Sequence, residues 1–271
     1  MPAKATSAKA SKTLAGIVRV MMLLALIGPA VVLAGVIGLT FGLLDYGLGL
    51  EIMILHYGRL ATLAGVALGV VIVLLALLRR RRALILGIIA VAITGLSALG
   101  VERLRLERAE NPPVHQVSTD WSDPPGFSDA MIGRRRGAAN RVEADPRVPD
   151  DLSALVSGPI PAGWLAYRGR RVAEINAETC PEAQAVPRQL HPDQVAAALR
   201  SEGITVVGRA PWRVEGFVQS PVLGFTEDVV VRIRPGRTDV RVIRREGLGD
   251  GGASCRRASA IIAALGAYAI S

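Results

Sequence analysis

The sequence is poor in the residues that build metal centres and disulfide-rich folds. Its 271 residues include only two cysteines and three histidines, and aromatic residues make up 4% of the chain. Two cysteines exclude a small disulfide-dense domain, since such domains carry several bridges. The histidines, His56, His115 and His191, lack the paired spacing of a zinc site. The chain also lacks a Gly-rich phosphate loop, a dinucleotide fingerprint and the G-x-S-x-G elbow of hydrolases, so we expect no metal and no other cofactor.

Charged residues are absent from three long apolar runs, residues 20–44, 60–78 and 83–101. Each run meets the roughly 20 residues that a helix needs to cross about 30 Å of hydrocarbon. We therefore predict three transmembrane helices in a lipid bilayer. A cleaved signal peptide is the alternative for the first run. A signal core of about 7 to 15 apolar residues would end near Gly28-Pro29, however, and this run continues well beyond that point.

Two further expectations follow from this layout of the spans. Residues 45–59 are expected to form an outward loop that lies at the membrane interface. No ionisable residue falls inside a predicted span, which disfavours a transporter or channel, because ion pathways through membranes normally need such residues.

Most of the excess positive charge lies beside these runs. The formal charge is +9, and residues 1–101 hold nine basic and two acidic residues, a net charge of +7. Lys and Arg beside apolar spans act as topology signals, so the charge does not indicate nucleic-acid binding. The basic tail of residues 1–19 and arginines 79–82 are separated by two spans, which places both in the cytoplasm. The third span then puts the rest of the chain outside the inner membrane, in the periplasm of a bacterium.

A folded domain is expected over residues 114–271, after a linker of residues 102–113. The linker ends at Asn111-Pro112-Pro113, because consecutive prolines favour an extended chain. Long ordered loops broken by short elements are expected over residues 123–161, which are rich in Pro, Gly and short polar residues. Beyond them the periodicity predicts helices at 192–203 and 254–269 and strands at 204–209, 212–219, 226–234 and 238–245. This order predicts an α+β domain in which helices pack on one face of an antiparallel β meander.

Three stretches of this domain carry recognisable motifs. Residues 114–127 read VHQVSTDWSDPPGF, residues 224–233 read GFTEDVVVRI, and residues 238–252 contain TDVR, R-x-G and D-x-G. Together they resemble the domain of unknown function 1499 family over most of residues 114–265. The upstream apolar layout also resembles the multi-span, membrane-anchored members of that family. The family tends to have serine where this chain has Val242 and Arg244, and asparagine at Ser254. The resemblance implies this architecture and implies no reaction.

Six polar residues at the motif positions form the candidate ligand site. A cleft formed from them would bind a polar or anionic ligand through an arginine, with a histidine and a carboxylate available for proton transfer. In the alternative interpretation the aspartates cap turns or helix starts and the arginine pairs with an acid at the sheet edge. Because long loops need bracing by the same residue types, the alternative is favoured. The six are His115, Asp120, Asp228, Asp239, Arg245 and Asp250.

Cys180 and Cys255 both fall in the C-terminal domain. In an oxidising compartment a disulfide between them would close a loop of about 75 residues, and the chain-entropy relation gives it about 4 kcal/mol of stability. Two unpaired small residues are the alternative. The sequence favours pairing only slightly.

Two functions from different classes are compatible with the sequence. The first is a non-enzymatic envelope module that binds an envelope protein or a polar or anionic ligand. It rests on the missing catalytic signature and on arginines that are expected to be exposed on the strands. The second is a membrane-anchored hydrolase that acts on an envelope polymer or a lipid head group through Asp120, Asp228 or Asp250. A deep cleft that gathers His115 with two of these acids would favour the hydrolase. The arginines in question are Arg232, Arg234, Arg241 and Arg245.

Overall fold

The computed structural model describes residues 16–79 and 84–270. The chain divides into two compact units, Met1–Arg105 and Leu106–Ser271, which are described separately below. Most of the basic N-terminal tail and arginines 80–82, on which the predicted orientation depends, lie outside the described residues.

Three helices are long and apolar enough to cross a membrane, as predicted. Many of their Leu, Ile and Val side chains point outward; Leu78 and Leu96, for example, are 79% and 72% exposed. Apolar surface of this extent is stable in lipid rather than in water. The spans cover Gly16–Thr40, Gly47–Leu78 and Leu84–Glu110. The α-helices within them are α1 (Ile27–Thr40), α2 (Arg59–Arg79) and α3 (Leu84–Glu110).

The segment between the first two apolar runs is helical, and the prediction of an interface loop is wrong. A π-helix over Gly47–Gly58 runs directly into α2. Glu51, inside this π-helix, is only 1% exposed. Arg59 Nε lies 2.8 Å from Glu102 Oε2 within the same unit. The second span therefore holds ionisable residues, and the argument against a transporter does not extend to its first turns. The sequence-based prediction ended the apolar run where charged residues begin. In the structure the helix continues through these residues, because a charged side chain can be accommodated when it is paired, as Arg59 is with Glu102.

The second unit is built on a five-stranded antiparallel sheet in the order β1-β5-β4-β3-β2. Strands β2 to β5 form the predicted meander, and β1 pairs with β5. Strand β1 has three residues, too few to show an alternating pattern in the sequence. The strands are β1 (Gln116–Ser118), β2 (Thr205–Ala210), β3 (Arg213–Gln219), β4 (Thr226–Arg234) and β5 (Arg237–Arg244).

Two of the helices in this unit cover one face of the sheet, which confirms the predicted α+β architecture. They are α6 (Pro192–Ser201) and α7 (Ala253–Ile270); two shorter helices, α4 (Asp129–Arg134) and α5 (Val172–Thr179), precede them. His191 caps α6, because its Nδ1 accepts a hydrogen bond from the backbone N–H of Asp193. The predicted alternation in β4 places Val229, Val231 and Ile233 in the core beneath these helices. We call this side of the sheet the helical face.

The opposite side of the sheet carries polar residues and packs against residues 119–148. The register pairs Arg232 with Asp239 and places Asp228 opposite Ile243. Arg241 lies opposite Ser118 of β1. We call this side the charged face. A second apolar cluster, which includes Trp164 and Ile175, forms among the loops and α5. Most of the candidate residues lie on the charged face or at its border.

Candidate functional site

Asp120 and Asp239 lie together in an arginine network on the charged face. Asp239 is fully buried and Asp120 is 8% exposed. Arg234 Nη2 lies 2.8 Å from an oxygen of each carboxylate, and Arg232 Nη2 lies 3.1 and 3.3 Å from the same two oxygens. Arg237 Nε lies 2.7 Å from Asp239 Oδ1. Both carboxylates are therefore held in ion pairs within the domain.

The Asp120 carboxylate also accepts hydrogen bonds from the residues that follow it in the chain. Its Oδ1 accepts hydrogen bonds from the backbone N–H of Ser122 at 3.1 Å and from the Ser122 hydroxyl at 2.6 Å. Burial acts to raise the pKa of Asp120, but hydrogen bonds from Ser122 and Arg234 outweigh it and hold the pKa well below its usual range. Asp120 is therefore ionised, and it caps a turn while it anchors arginines.

Asp228 lies between two arginines at the other end of the charged face. Arg245 donates two hydrogen bonds to the Asp228 carboxylate, from Nε to Oδ2 at 2.8 Å and from Nη2 to Oδ1 at 2.7 Å. Arg135 also donates to Asp228 Oδ2. Burial lowers the pKa of Arg135, whereas the hydrogen bond to Asp228 raises the pKa of Arg245. A buried carboxylate between two guanidinium groups is a satisfied ion pair, and it links α4 to the end of β5.

His115 and Asp250 form the third group, near the start of α7. Asp250 caps that helix, since its two oxygens accept the backbone N–H groups of Gly252 at 2.8 Å and Ser254 at 3.0 Å. Burial lowers the pKa of His115 to about 4, against a smaller opposing influence of the Asp250 charge. The His115 Nδ1 atom is enclosed and has no hydrogen-bond partner among the described residues. His115 is therefore neutral at pH 7.

The structure thus places the six candidate residues in three internal groups rather than in one cleft. Asp239 and Ile243, the partner of Asp228, are four residues apart on β5, about 13 Å along the strand. None of the six lines either of the two pockets that we describe below. The groups are Asp120 with Asp239, Asp228 with Arg245, and His115 with Asp250.

The strand arginines are less exposed than the sequence led us to expect. Arg241 is only 2% exposed, and its Nη2 donates to Gln116 Oε1 at 2.8 Å and to the backbone carbonyl of Glu143. Burial lowers the pKa of Arg241 to about 10. Arg232 and Arg245 retain side-chain exposures of 17% and 20%. The expectation fails because residues 119–148 cover this face, and periodicity in the strands cannot show what packs over them.

A disulfide joins Cys180 and Cys255, with their Cα atoms 5.8 Å apart. It connects the end of α5 to the first turn of α7. Glu182 lies beside both sulfurs, and the three side chains have the proximity of a possible metal site. Sulfurs that are bonded to each other are not thiolates, however, so the bridge leaves the Glu182 carboxylate as the one ligand of this group.

A pocket of about 360 Å³ lies where α7 begins, on the helical face, and the sequence did not predict it. Glu227 of β4 pairs in register with Arg244 of β5, and both line the pocket while they are nine-tenths buried. Arg256 and Arg257 of α7 complete its charged lining. Burial and the charge of Asp250 raise the pKa of Glu227. One signal was available: consecutive arginines near a helix N-terminus oppose the helix dipole. We call this the arginine pocket.

A larger pocket of about 740 Å³ lies at the start of α6, beside His191, Asp193 and Arg209. These three side chains are more than half exposed, and Arg209 is already paired with Asp193. Exposed ion pairs of this kind are weakly held, so the pocket offers no preorganised polar group.

Comparison with known proteins identifies the family. The family model described as a protein of unknown function, DUF1499, matches residues 116–265. Neither the curated proteins nor the solved structures give a match. The matched residues begin at β1 and extend into α7, so they include the whole sheet, the disulfide and the arginine pocket. The chain therefore belongs to the DUF1499 family of proteins of unknown function.

Proposed function

We propose that this protein is a membrane-anchored binding module whose C-terminal domain recognises a ligand or partner outside the cytoplasm. The observation that carries the proposal is the distribution of the six candidate residues into three internal groups. A catalytic acid or base must exchange a proton with a substrate that it touches. Asp120, Asp228 and Asp239 are instead held by arginines, and Asp250 is held by helix N–H groups. These residues therefore stabilise the fold. We expect a ligand or partner to bind at the surface of the domain or in its pockets.

Two independent observations support a position of the C-terminal domain outside the cytoplasm. An odd number of candidate spans favours opposite sides of the membrane for the regions that flank them, and arginines 79–82 favour a cytoplasmic N-terminus. The Cys180–Cys255 disulfide supports the same placement, because structural disulfides persist in the periplasm and are rare in the cytosol.

The hydrolase hypothesis finds less support. It needs a cleft that gathers His115 with two of the acids. Asp250 is the acid whose charge acts on the pKa of His115, and both of its carboxylate oxygens are engaged as a helix cap.

The redox state of the two cysteines inside cells tests the proposed placement. Cells that make the full chain are quenched in acid, and their proteins are alkylated with a mass-tagging maleimide before or after reduction. We expect no tag before reduction and two tags after it, since the chain has two cysteines and both are bridged. The Cys180→Ser/Cys255→Ser variant, tagged under neither condition, is the control. Two tags without reduction would contradict a domain outside the cytoplasm.

A further inference from the structure

The arginine pocket brings four charged side chains from three elements to one place. Glu227 comes from β4 and Arg244 from β5, and they are direct neighbours in the register on the helical face. Arg256 and Arg257 come from the first turns of α7. Because the strands and the helix all belong to the core of the domain, their backbones hold these side chains in fixed positions.

The lining of the pocket holds more arginines than carboxylates to pair with them. Glu227 is the only acidic residue that lines the pocket, and its Oε2 lies 3.3 Å from Arg257 Nε. The other hydrogen bonds of the arginines go to backbone carbonyls: Arg244 Nη1 to Asp250, Arg256 Nη1 to Gly251 and Arg257 Nη1 to Glu202. The lining thus holds three guanidinium groups and one carboxylate, a net charge of +2 when Glu227 is ionised, while Asp250 adds a negative charge near Glu227 from outside the lining.

The two buried members of the set have unused hydrogen-bonding capacity. Arg244 Nε and Glu227 Oε1 are both enclosed, and neither has a hydrogen-bond partner among the described residues. Buried polar atoms in folded proteins are nearly always satisfied, so the Arg244 Nε–H donor beside the pocket points to a missing acceptor, and the Glu227 acceptor points to a missing donor such as a water or a ligand hydroxyl. The Arg244 guanidinium also lies over the Phe225 ring, 4.4 Å from its centroid, which limits its freedom to reorient.

The size and the apolar part of the lining limit the ligand. At about 360 Å³ the pocket is near the lower end of the range for small-molecule sites. Phe225, Pro221 and Ala260 add apolar surface beside the charged groups. A small anionic group attached to a short apolar or neutral body fits this combination, whereas a polymer backbone does not.

We propose that the arginine pocket binds a phosphate group, with Arg244, Arg256 and Arg257 as its cationic ligands. The planar guanidinium fork donates paired hydrogen bonds to phosphate oxygens, and arginine is enriched wherever phosphate is recognised. The group belongs either to a soluble phosphate ester or to a phospholipid head group, which present the same chemistry. The inference rests on the proposed function, since it names the ligand class of the binding module.

Calorimetric titration of the full chain, purified in a nonionic detergent, tests this inference. The probes are inorganic phosphate, glycerol 3-phosphate and short-chain dihexanoyl phosphatidic acid. We expect saturable binding of all three. Tighter binding of glycerol 3-phosphate assigns the ligand to the soluble esters, and tighter binding of the lipid assigns it to a head group.

A matched pair of variants locates the binding. R256Q/R257Q removes two partly exposed arginines from the pocket and should weaken phosphate binding at least tenfold. R170Q/R171Q removes an adjacent pair with side-chain exposures of 31% and 46% and should change the Kd less than twofold. Circular dichroism shows whether both variants are folded.

Two results would overturn the inference: no saturable binding of phosphate or its esters to the wild-type chain, or equal weakening by both double variants. Neither result bears on the redox state of the cysteines in cells. A reduced domain in cells would in turn contradict the proposed placement and leave the calorimetry intact.

Discussion

At the scale of single residues, the buried carboxylates of the charged face stabilise the domain by neutralising the arginines that they contact. Asp228 is fully buried, and it is the only carboxylate whose hydrogen bonds to Arg135 and Arg245 the structure describes. Removing one member of a buried ion pair leaves an uncompensated charge, which is more damaging than the pair is stabilising. Loss of activity in an Asp228→Ala variant would thus be explained by destabilisation of the fold and would not show that Asp228 is catalytic.

Asp228→Ala should lower the free energy of unfolding of the second unit by about 3 to 5 kcal/mol. The reason is that it leaves Arg135, whose side chain is 5% exposed, without its anionic partner. Thermal unfolding of the purified chain, followed by circular dichroism, measures the change. Asp193→Ala is the matched control, since its pair with Arg209 is exposed and contributes about 1 kcal/mol or less. Equal small losses in the two variants would contradict the buried network.

His115 should make the domain less stable in mild acid. Its pKa is about 4 in the folded chain and 6.5 in the reference state, so between these values the unfolded chain binds a proton that the folded chain does not. Stability from this residue is therefore present above pH 6.5 and is lost as the pH falls towards 4, by about 3 kcal/mol in all.

Unfolding of the His115→Gln variant at several pH values tests this dependence. The variant should lose less stability than the wild type between pH 6.5 and pH 4. His191→Asn replaces an exposed histidine and keeps a capping side chain at α6, and it should follow the wild-type profile. Parallel profiles for the wild type and His115→Gln would show that His115 is accessible to protons in the folded state.

At the scale of elements, the sequence predicted those with strong internal periodicity. Strands β2 to β5 and helices α6 and α7 each alternate or repeat over six residues or more, and the structure places them where the pattern indicated. Strand β1 and helix α5 were not predicted. Strand β1 has only three residues, and it is defined by its partner β5 rather than by its own sequence. Short elements of this kind depend on tertiary contacts.

The helix at Gly47–Gly58 was missed for a different reason. Charged and polar residues interrupt the apolar run there, and a hydropathy rule treats an interruption as an end. The pairing of Arg59 with Glu102 is a contact 43 positions apart in the chain, which no local window detects.

At the scale of the whole molecule, the sequence predicted the spans, the antiparallel sheet and the family, and it did not predict the arginine pocket. The pocket combines side chains from residue 220 to residue 260, on the β3–β4 loop, two strands and a helix. Its recognition requires the strand register that puts Glu227 beside Arg244. The six motif residues were identifiable as important, but their chemistry as ion pairs and caps depends on neighbours that are distant in the chain, such as Thr119 for Asp239, 120 positions away.

We propose that an odd number of spans carries the C-terminal domain out of the cytoplasm, on the basis of the three candidate spans. Reporter fusions in a bacterial host test it most directly. A phosphatase that is active only outside the cytoplasm is fused after Ser271, and the matched control carries the same enzyme after Arg82. The account predicts high activity for the first fusion and background activity for the second. Background activity after Ser271 with high activity after Arg82 would contradict it.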